Sequence, residues 1–522
     1  MQACRCKPHT RTGTCRPRPT HIPPDGWRCY LHALLGLLLL RPRAVAEQHS
    51  CGMGVFANFH AWLLGRGVTF SAAVQFGTDP MAGLRGLIAS GPVRSGEEVF
   101  RVPMSAILTM AEAWERVGAT LPEQIGGASQ GSWLSLQSNQ TGLALFLLGQ
   151  RAAGSEWYPY TAILPSSYSD HPLFWTDGEL AELQASDVRQ AVQAEQEAIQ
   201  QGFAVATRLW PDLHIDDFRW AYAAALSRQF NVVHQHDGIV KGRDIMLVPL
   251  LDFVNHPVDG VITPNVAPTY SPEFGVVFAA SRDIAPGEGL AGGYGFHSNH
   301  EALLAWGFAS ESRVDTSDML LWFRVEDHLA GPKRLRRAKL ELLRAAQRRP
   351  AEPPQPLGVD RQVLPLSSFW GPDAERLLGR VRLMALSAED SHLLHGRCAE
   401  GALCRPVSAR NERAALRLLS ELLEARLARY GTSEEEDAAL LESGRVSRAD
   451  GARWHGLLVR LGEKRLARSF QGLVRVLDPL FGLDPTELAR QVAANLGDGF
   501  EYASGIDRYV RFNVTTLVQD AW

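Results

Sequence analysis

Charge of one sign is what this sequence has little of: Lys+Arg 53 against Asp+Glu 57 over 522 residues leave a formal net charge of −4. That balance hides an asymmetry, because residues 1–50 hold eight Arg/Lys and two acids, which leaves 45 basic and 55 acidic residues behind them, net −10. A body that acidic has no chain-wide footprint for DNA or RNA, since phosphate binding needs clustered cations that release counterions. Cysteine is also scarce. Cys4, Cys6, Cys15, Cys29 and Cys51 stand at the front and only Cys398 and Cys404 behind, which argues against a disulfide framework for the body. There is no CxxC pair, and zinc sites are built from such pairs, so no metal is expected. Long hydrophobic runs are missing as well. The apolar stretch Leu31–Leu40 has ten residues, about 15 Å as a helix and half of a bilayer core of about 30 Å, so no stable membrane span is expected.

With basic residues before it and Ala44-Val45-Ala46 after it, that run has the form of a signal-peptide core and cleavage site, while the long, Arg-rich, acid-poor lead-in fits an organellar presequence better. A disordered extension with a fortuitous Leu run is the third reading. All three put residues 1–50 outside the fold. The protein is expected inside the cell, in a plastid or another organelle, with secretion as the alternative.

What is present suffices for several cores: 45% hydrophobic residues and thirteen Trp, at about 150 residues per domain, suggest three units. Phe56, Phe59 and Leu63 at helical spacing, stopped by Gly65 and Gly67, predict a helix within Val55–Phe70. Leu87-Ile88-Ala89 and Val99–Pro103 read as two strands around a tight connection. Residues 111–225 read as a helical insertion with an amphipathic stretch over Glu179–Gln201, after which strands return at Ile245–Leu250 and Gly275–Ala280 and end near Tyr294. Beyond residue 311 the pattern is almost wholly helical, broken by the Pro-rich loop Arg349–Leu357. Helices are expected over Arg410–Tyr430, Thr432–Leu441 and Ala452–Leu477, and a further one over Phe481–Ala494. Glu421 and Glu424, with Arg417 and Arg426, read as a solvated helix face.

Four local patterns carry chemistry. Gly83-Leu84-Arg85-Gly86-Leu87, followed by Gly96-Glu97-Glu98, lets backbone groups approach a ligand closely, although a lone instance is ordinarily a β-turn and it lacks the Gly-Lys-Ser/Thr of a phosphate loop. Ser227-Arg228-Gln229-Phe230 closes a helical run. Leu250-Leu251-Asp252-Phe253-Val254-Asn255-His256-Pro257 follows an apolar strand, and its Asn-His pair could equally cap and turn the chain. Gly292-Gly293-Tyr294-Gly295 precedes Ser298-Asn299-His300-Glu301 and Trp306-Gly307-Phe308. A Tyr among glycines keeps its ring and hydroxyl accessible.

In that order, and with the helical insertion between the first two, these patterns resemble a split SET domain of the family that includes Rubisco large-subunit lysine methyltransferase and actin-histidine methyltransferase. Ser155–Tyr160, Leu164-Pro165, Pro172–Trp175 and Leu180–Gln184 resemble that family's insertion. Asn411-Glu412, Tyr430-Gly431-Thr432, Glu436-Asp437, Leu440-Leu441 and Leu461–Lys464 resemble its helical substrate-binding domain. The resemblance implies an α+β fold: a SET domain over residues 51–319 with its insertion at about 111–225, an all-α substrate-binding domain over 320–477, and an extension over 478–522.

It also implies S-adenosyl-L-methionine as cofactor, cradled by the backbone of Gly83, Leu84 and Arg85, held by Asn255 and His256, anchored through its carboxylate by Arg228 and packed by Phe308. Phe230, Asp252 and Trp306 then belong to the substrate channel and Tyr294 to the reacting centre. Gly293 and Trp306 depart from the family's usual pattern. The implied activity is methylation of a lysine on a folded non-histone protein by an enzyme expected to be a monomer. A histidine target and a non-catalytic protein-binding module are the alternatives.

Overall fold

Phe59 and Leu63, one helical turn apart, are both buried on α1 (Met53–Gly65), so the spacing that predicted the helix is the spacing that buries it. The structure is a computed structural model. It describes residues 53–79, 83–118, 140–236, 239–257, 263–295, 298–347, 361–367, 372–394, 398–399, 402–403, 406–481, 483–484, 486–487 and 490. The front segment, the loop Arg349–Leu357 and most of Phe481–Ala494 lie outside them.

Five short strands follow α1: β1 (Thr69–Phe70), β2 (Val74–Thr78), β3 (Arg85–Ala89), β4 (Glu98–Val102) and β5 (Leu108–Thr109). The two strands expected around one tight connection belong to different sheets, because β3 pairs with β2 whereas β4 pairs with β1. The helical insertion comprises α2 (Met110–Val117), α3 (Gln140–Gly149), α4 (Tyr158–Thr161), α5 (Asp177–Ala181), α6 (Asp187–Leu209) and α7 (Ile215–Arg228). The amphipathic stretch Glu179–Gln201 is therefore two helices. Ser186 restarts the chain by accepting at its hydroxyl a bond from Val188 N, 3.2 Å away, the N-cap arrangement that satisfies an otherwise unpaired amide.

Antiparallel sheets resume with β6 (Gln229–His236) and β7 (Ile239–Leu247), arranged β5-β7-β6, and with β8 (Val266–Ser271) and β9 (Gly275–Ala280), which complete a four-stranded sheet β1-β4-β9-β8. The unexpected strands β6 and β8 are both edges. Edge strands tolerate polar side chains, which is why Gln-Phe-Asn-Val-Val-His and Val-Ala-Pro-Thr-Tyr do not read as strands. After them comes α8 (Asn299–Trp306).

The C-terminal unit contains β10 (Asp318–Arg324), α9 (Lys333–Gln347), β11 (Arg361–Ser367), α10 (Pro372–Ala385), β12 (Cys398–Ala399), β13 (Ala402–Leu403), α11 (Ala409–Leu427), α12 (Glu434–Glu442) and α13 (Ala452–Leu480). Its packing is helical as expected, but it is not all-α: β10 pairs with β11 and β12 with β13. The run Met319–Phe323 is apolar without alternation, and periodicity alone cannot separate a buried strand from a helix there.

The helix α13 joins the parts. Ala452 and Val459 pack into the large SET-side core, Trp454, Leu457, Leu458 and Leu461 into a middle cluster with Ala309 and Val314, and Leu466, Ala467, Val474 and Leu477 into the C-terminal core. Arg426, read as part of a solvated face, is instead buried against Asp187 of α6, Nη2 to Oδ2 3.1 Å. Arg417 does stay exposed, beside Asp478.

Candidate functional site

Three segments far apart in sequence lie side by side at the centre of the SET-side unit. The side-chain amide of Asn255 donates to the Arg85 carbonyl, 2.9 Å away across 170 residues of chain. Asn255 also forms a parallel bridge with Ala291, and its own carbonyl accepts from Gly292 N at 3.0 Å. Leu290 N in turn donates to Leu87 O. The crossing requires glycine at 86, where an added Cβ would stand 2.8 Å from Asn255 Nδ2 and 3.1 Å from Phe253 O.

Against this crossing opens a narrow cavity of about 100 Å³, lined by Arg228 and Phe230 from the α7–β6 junction, Asp252 and Val254 from the turn after β7, Tyr294, and Trp306 at the end of α8. The turn that carries Asp252 starts from Leu250, a buried residue held at φ 84°. A branched side chain avoids that region, and holding it there costs about 1–3 kcal/mol. On the other side, Gly307 (φ 78°) ends α8 where a Cβ would press on His171 Cα at 3.1 Å. The Asn299 side chain then clamps the next residues by a reciprocal pair, Nδ2 to Ser310 O at 3.0 Å and Oδ1 from Ser310 N at 2.8 Å. Trp306 and Phe308 are thereby held on either side of a fixed turn.

The aromatic residues form a chain. The Tyr294 ring centroid lies 5.2 Å from Trp306 and 5.2 Å from His256, and His256 lies 5.6 Å from Phe308. The Tyr294 hydroxyl donates to Val254 O at 3.2 Å. Burial pushes its phenol up to about 12, with Asp252 adding to the rise and Arg228 opposing it. The same burial raises the Asp252 carboxyl, partly offset by Arg228 and Arg85. Burial alone would lower the Arg228 guanidinium, but Tyr168, Asp252, Tyr160 and Tyr294 together hold it above its ordinary value.

Of the residues singled out in the sequence, Arg228, Phe230, Asp252, Tyr294 and Trp306 share the cavity lining, and Asn255, His256 and Phe308 adjoin it. Gly83 and Leu84 sit in a turn in which Asp79 N donates to Leu84 O. Arg85 has its carbonyl committed to Asn255, and its side chain donates to Ile163 O at 2.8 Å and stacks over Phe253. Two tyrosines that sequence reasoning left without a role belong here. The Tyr160 hydroxyl donates to Asp252 Oδ1 at 3.4 Å, and the Tyr168 hydroxyl accepts from Arg228 Nη1 at 2.7 Å. Ser166-Ser167-Tyr168-Ser169-Asp170 reads as a polar surface turn, so nothing local marks Tyr168. Among the described residues no group of His, Cys, Asp and Glu is arranged to hold a metal ion, and no helix is long and apolar enough to cross a membrane.

The SET domain family matches residues 84–295, and the Rubisco LSMT substrate-binding family matches residues 332–466. Residues 84–295 thus carry a SET domain and residues 332–466 a Rubisco LSMT substrate-binding domain. Among curated members, it is 26% identical over 447 residues to the chloroplastic fructose-bisphosphate aldolase-lysine N-methyltransferase of Arabidopsis thaliana, covering 80% of this chain and 82% of that one. It is 26% identical over 443 residues to the chloroplastic Rubisco large subunit N-methyltransferase of Nicotiana tabacum, with 80% and 81% covered. A shorter match, 25% over 294 residues, joins it to the N-lysine methyltransferase SETD6 of Bos taurus, over 53% of this chain and 62% of that one. The fold is that of Rubisco LSMT solved with AdoMet, at a TM-score of 0.57 and 20% identity, over 90% of this chain and 99% of that one. In this SET-domain protein the cavity lies between the ends of α7 and α8, with Pro268 of β8 and Phe278 of β9 also in its lining.

Proposed function

We propose that the protein is an S-adenosylmethionine-dependent N-methyltransferase that modifies a lysine on a folded protein, with Tyr294 at the reacting centre. The observation that carries this reading is the convergence of Arg228, Phe230, Asp252, Tyr294 and Trp306 on one narrow cavity. Arg228 supplies a fixed cation for the cofactor's carboxylate: its side chain is 13% exposed, and its Nε pairs with Asp252 Oδ2 at 3.3 Å. A planar guanidinium held this way can bond a carboxylate through its remaining N–H groups. Arg228 would hold the cofactor's carboxylate, Asn255, His256 and the backbone of Gly83, Leu84 and Arg85 the rest of it, and Phe308 would pack beside them. When bound, S-adenosylmethionine supplies an electrophilic methyl group.

Phe230, Val254 and Trp306 form apolar walls that suit the four-carbon stem of lysine. Asp252, its side chain 2% exposed, draws the ammonium inward, and the apolar surroundings favour the neutral amine that can act as nucleophile. Tyr294 stays protonated, so its hydroxyl orients the amine and cannot serve as a base at neutral pH. Holding the reactants in line can lower a barrier by about 7–11 kcal/mol. Residues 320–477 dock the protein substrate in this reading, and residues 1–50 direct the chain to a plastid or similar organelle, as the chloroplastic relatives suggest.

Incubating the purified protein with labelled S-adenosylmethionine and a soluble extract tests the activity. Label on lysine of a discrete protein is the expected result; label on histidine, or none, overturns it.

A further inference from the structure

We propose that Tyr168 is a positioning residue that sets which edge of the Arg228 guanidinium is offered to a ligand carboxylate. This rests on the reading that Arg228 anchors the carboxylate of the cofactor. Arg228 is the last residue of α7, and its side chain is 13% exposed. The Nη1 atom is doubly engaged, donating to the Tyr168 hydroxyl at 2.7 Å and to Ser227 Oγ at 2.7 Å. An Nη1 group has two hydrogens, so both are used.

Nε faces Asp252 Oδ2 at 3.3 Å without a hydrogen bond, and among the described residues no hydrogen bond engages Nη2. The guanidinium is planar and rigid. Fixing Nη1 therefore fixes the rest of the plane, with Nε paired to Asp252 and Nη2 left to reach a ligand carboxylate. The Tyr168 ring supports the plane, with Arg228 Cζ 5.3 Å from its centroid. Ser227 is the neighbour of Arg228 and moves with it, whereas Tyr168 comes from the segment between α4 and α5, 60 residues earlier. Of the two hydroxyls on Nη1, the tyrosine's is the one that ties the guanidinium to a separate part of the fold. Asp252 is steadied in parallel by Tyr160, so the insertion supplies one hydroxyl to each member of the pair.

Calorimetry on the full chain separates this role from ordinary packing. S-adenosylhomocysteine carries the carboxylate, and 5′-methylthioadenosine lacks the amino-acid portion. Tyr168→Phe keeps the ring and removes the hydroxyl, and should weaken S-adenosylhomocysteine roughly tenfold, the scale of one hydrogen bond to a charged group, while leaving methylthioadenosine within about twofold. Equal loss for both ligands, or loss for neither, overturns the proposal. Should Tyr168→Phe fold poorly by its melting temperature, Tyr168→His, which can still offer an acceptor, must restore the preference for S-adenosylhomocysteine, and failure to do so counts against the proposal. Arg228→Met distinguishes the two layers. If that variant keeps the wild-type preference, the carboxylate is anchored elsewhere and the cofactor reading fails with it; if it loses the preference while Tyr168→Phe keeps it, the tyrosine alone is wrongly assigned.

Discussion

Tyr294 is the residue on which the proposed chemistry turns, and its protonation state follows from its surroundings. A phenol held near pKa 12 by burial keeps its proton throughout the range in which lysine titrates. The pH profile of kcat/KM should therefore rise as the substrate amine deprotonates and show no falling limb from this phenol below about pH 11; a fall centred near pH 10 would mean that the hydroxyl is solvated. Tyr294→Phe should lower kcat roughly a hundredfold, the loss typical of one transition-state donor, with S-adenosylhomocysteine affinity unchanged by calorimetry. Much of this neighbourhood was legible in the sequence because the residues come in short blocks, Asp252 to His256 and Gly292 to Phe308. Tyr160 and Tyr168 were not, since each meets its partner, Asp252 or Arg228, only across the fold.

Helix α6 carries a titratable group that the site does not use. Glu195 is 1% exposed and accepts from the Tyr222 hydroxyl of α7 at 2.6 Å. Burial lifts its carboxyl to about 7 against an ordinary 4.5. Because the folded value is the higher one, the contribution is complete below about pH 4.5 and is lost as pH rises through 7, a change of about 3 kcal/mol. Melting temperatures between pH 5 and 8 should fall for the native chain and stay flatter for Glu195→Gln, which keeps an acceptor for Tyr222; parallel curves would show that Glu195 is ionised at both ends of that range. At this scale the long helices and their caps were readable. The sheets were less so, because two-residue β1 and edge strands β6 and β8 carry too few alternating positions to register, and the break at Ser186 depends on burying Asp187 against a helix more than two hundred residues away.

Charges bind the two halves of the molecule. Glu463 of α13 meets His300 of α8 at 2.7 Å, the Ser186 hydroxyl at 2.9 Å and the Tyr430 hydroxyl, while Asp187 holds Arg426 and accepts from Leu320 N at 2.7 Å. Beside them Asp437 joins Lys464 at 2.5 Å and Arg460 at 3.0 Å. Removing one partner from such a buried set strands the other, at a cost of about 3–5 kcal/mol. Arg426→Met should lower the midpoint of chemical denaturation accordingly, and a shift under about 1 kcal/mol would mean water reaches Asp187. Since α13 contributes to all three cores, calorimetric unfolding should give one endotherm. Two separated peaks would identify independent domains.

The helix that contributes to all three cores is made after the segments it covers. The three crossing segments are all present once residue 292 has emerged, but Leu457, Leu458 and Leu461, which cover Ala309 and Val314, come more than 160 residues later. At about 5–20 residues per second, the growing chain spends roughly eight to thirty seconds with that apolar surface open to water. During translation the chain thus passes through a defined stage of exposed apolar surface, and the crossing stitched across 170 residues is backed by α13 only after that stage.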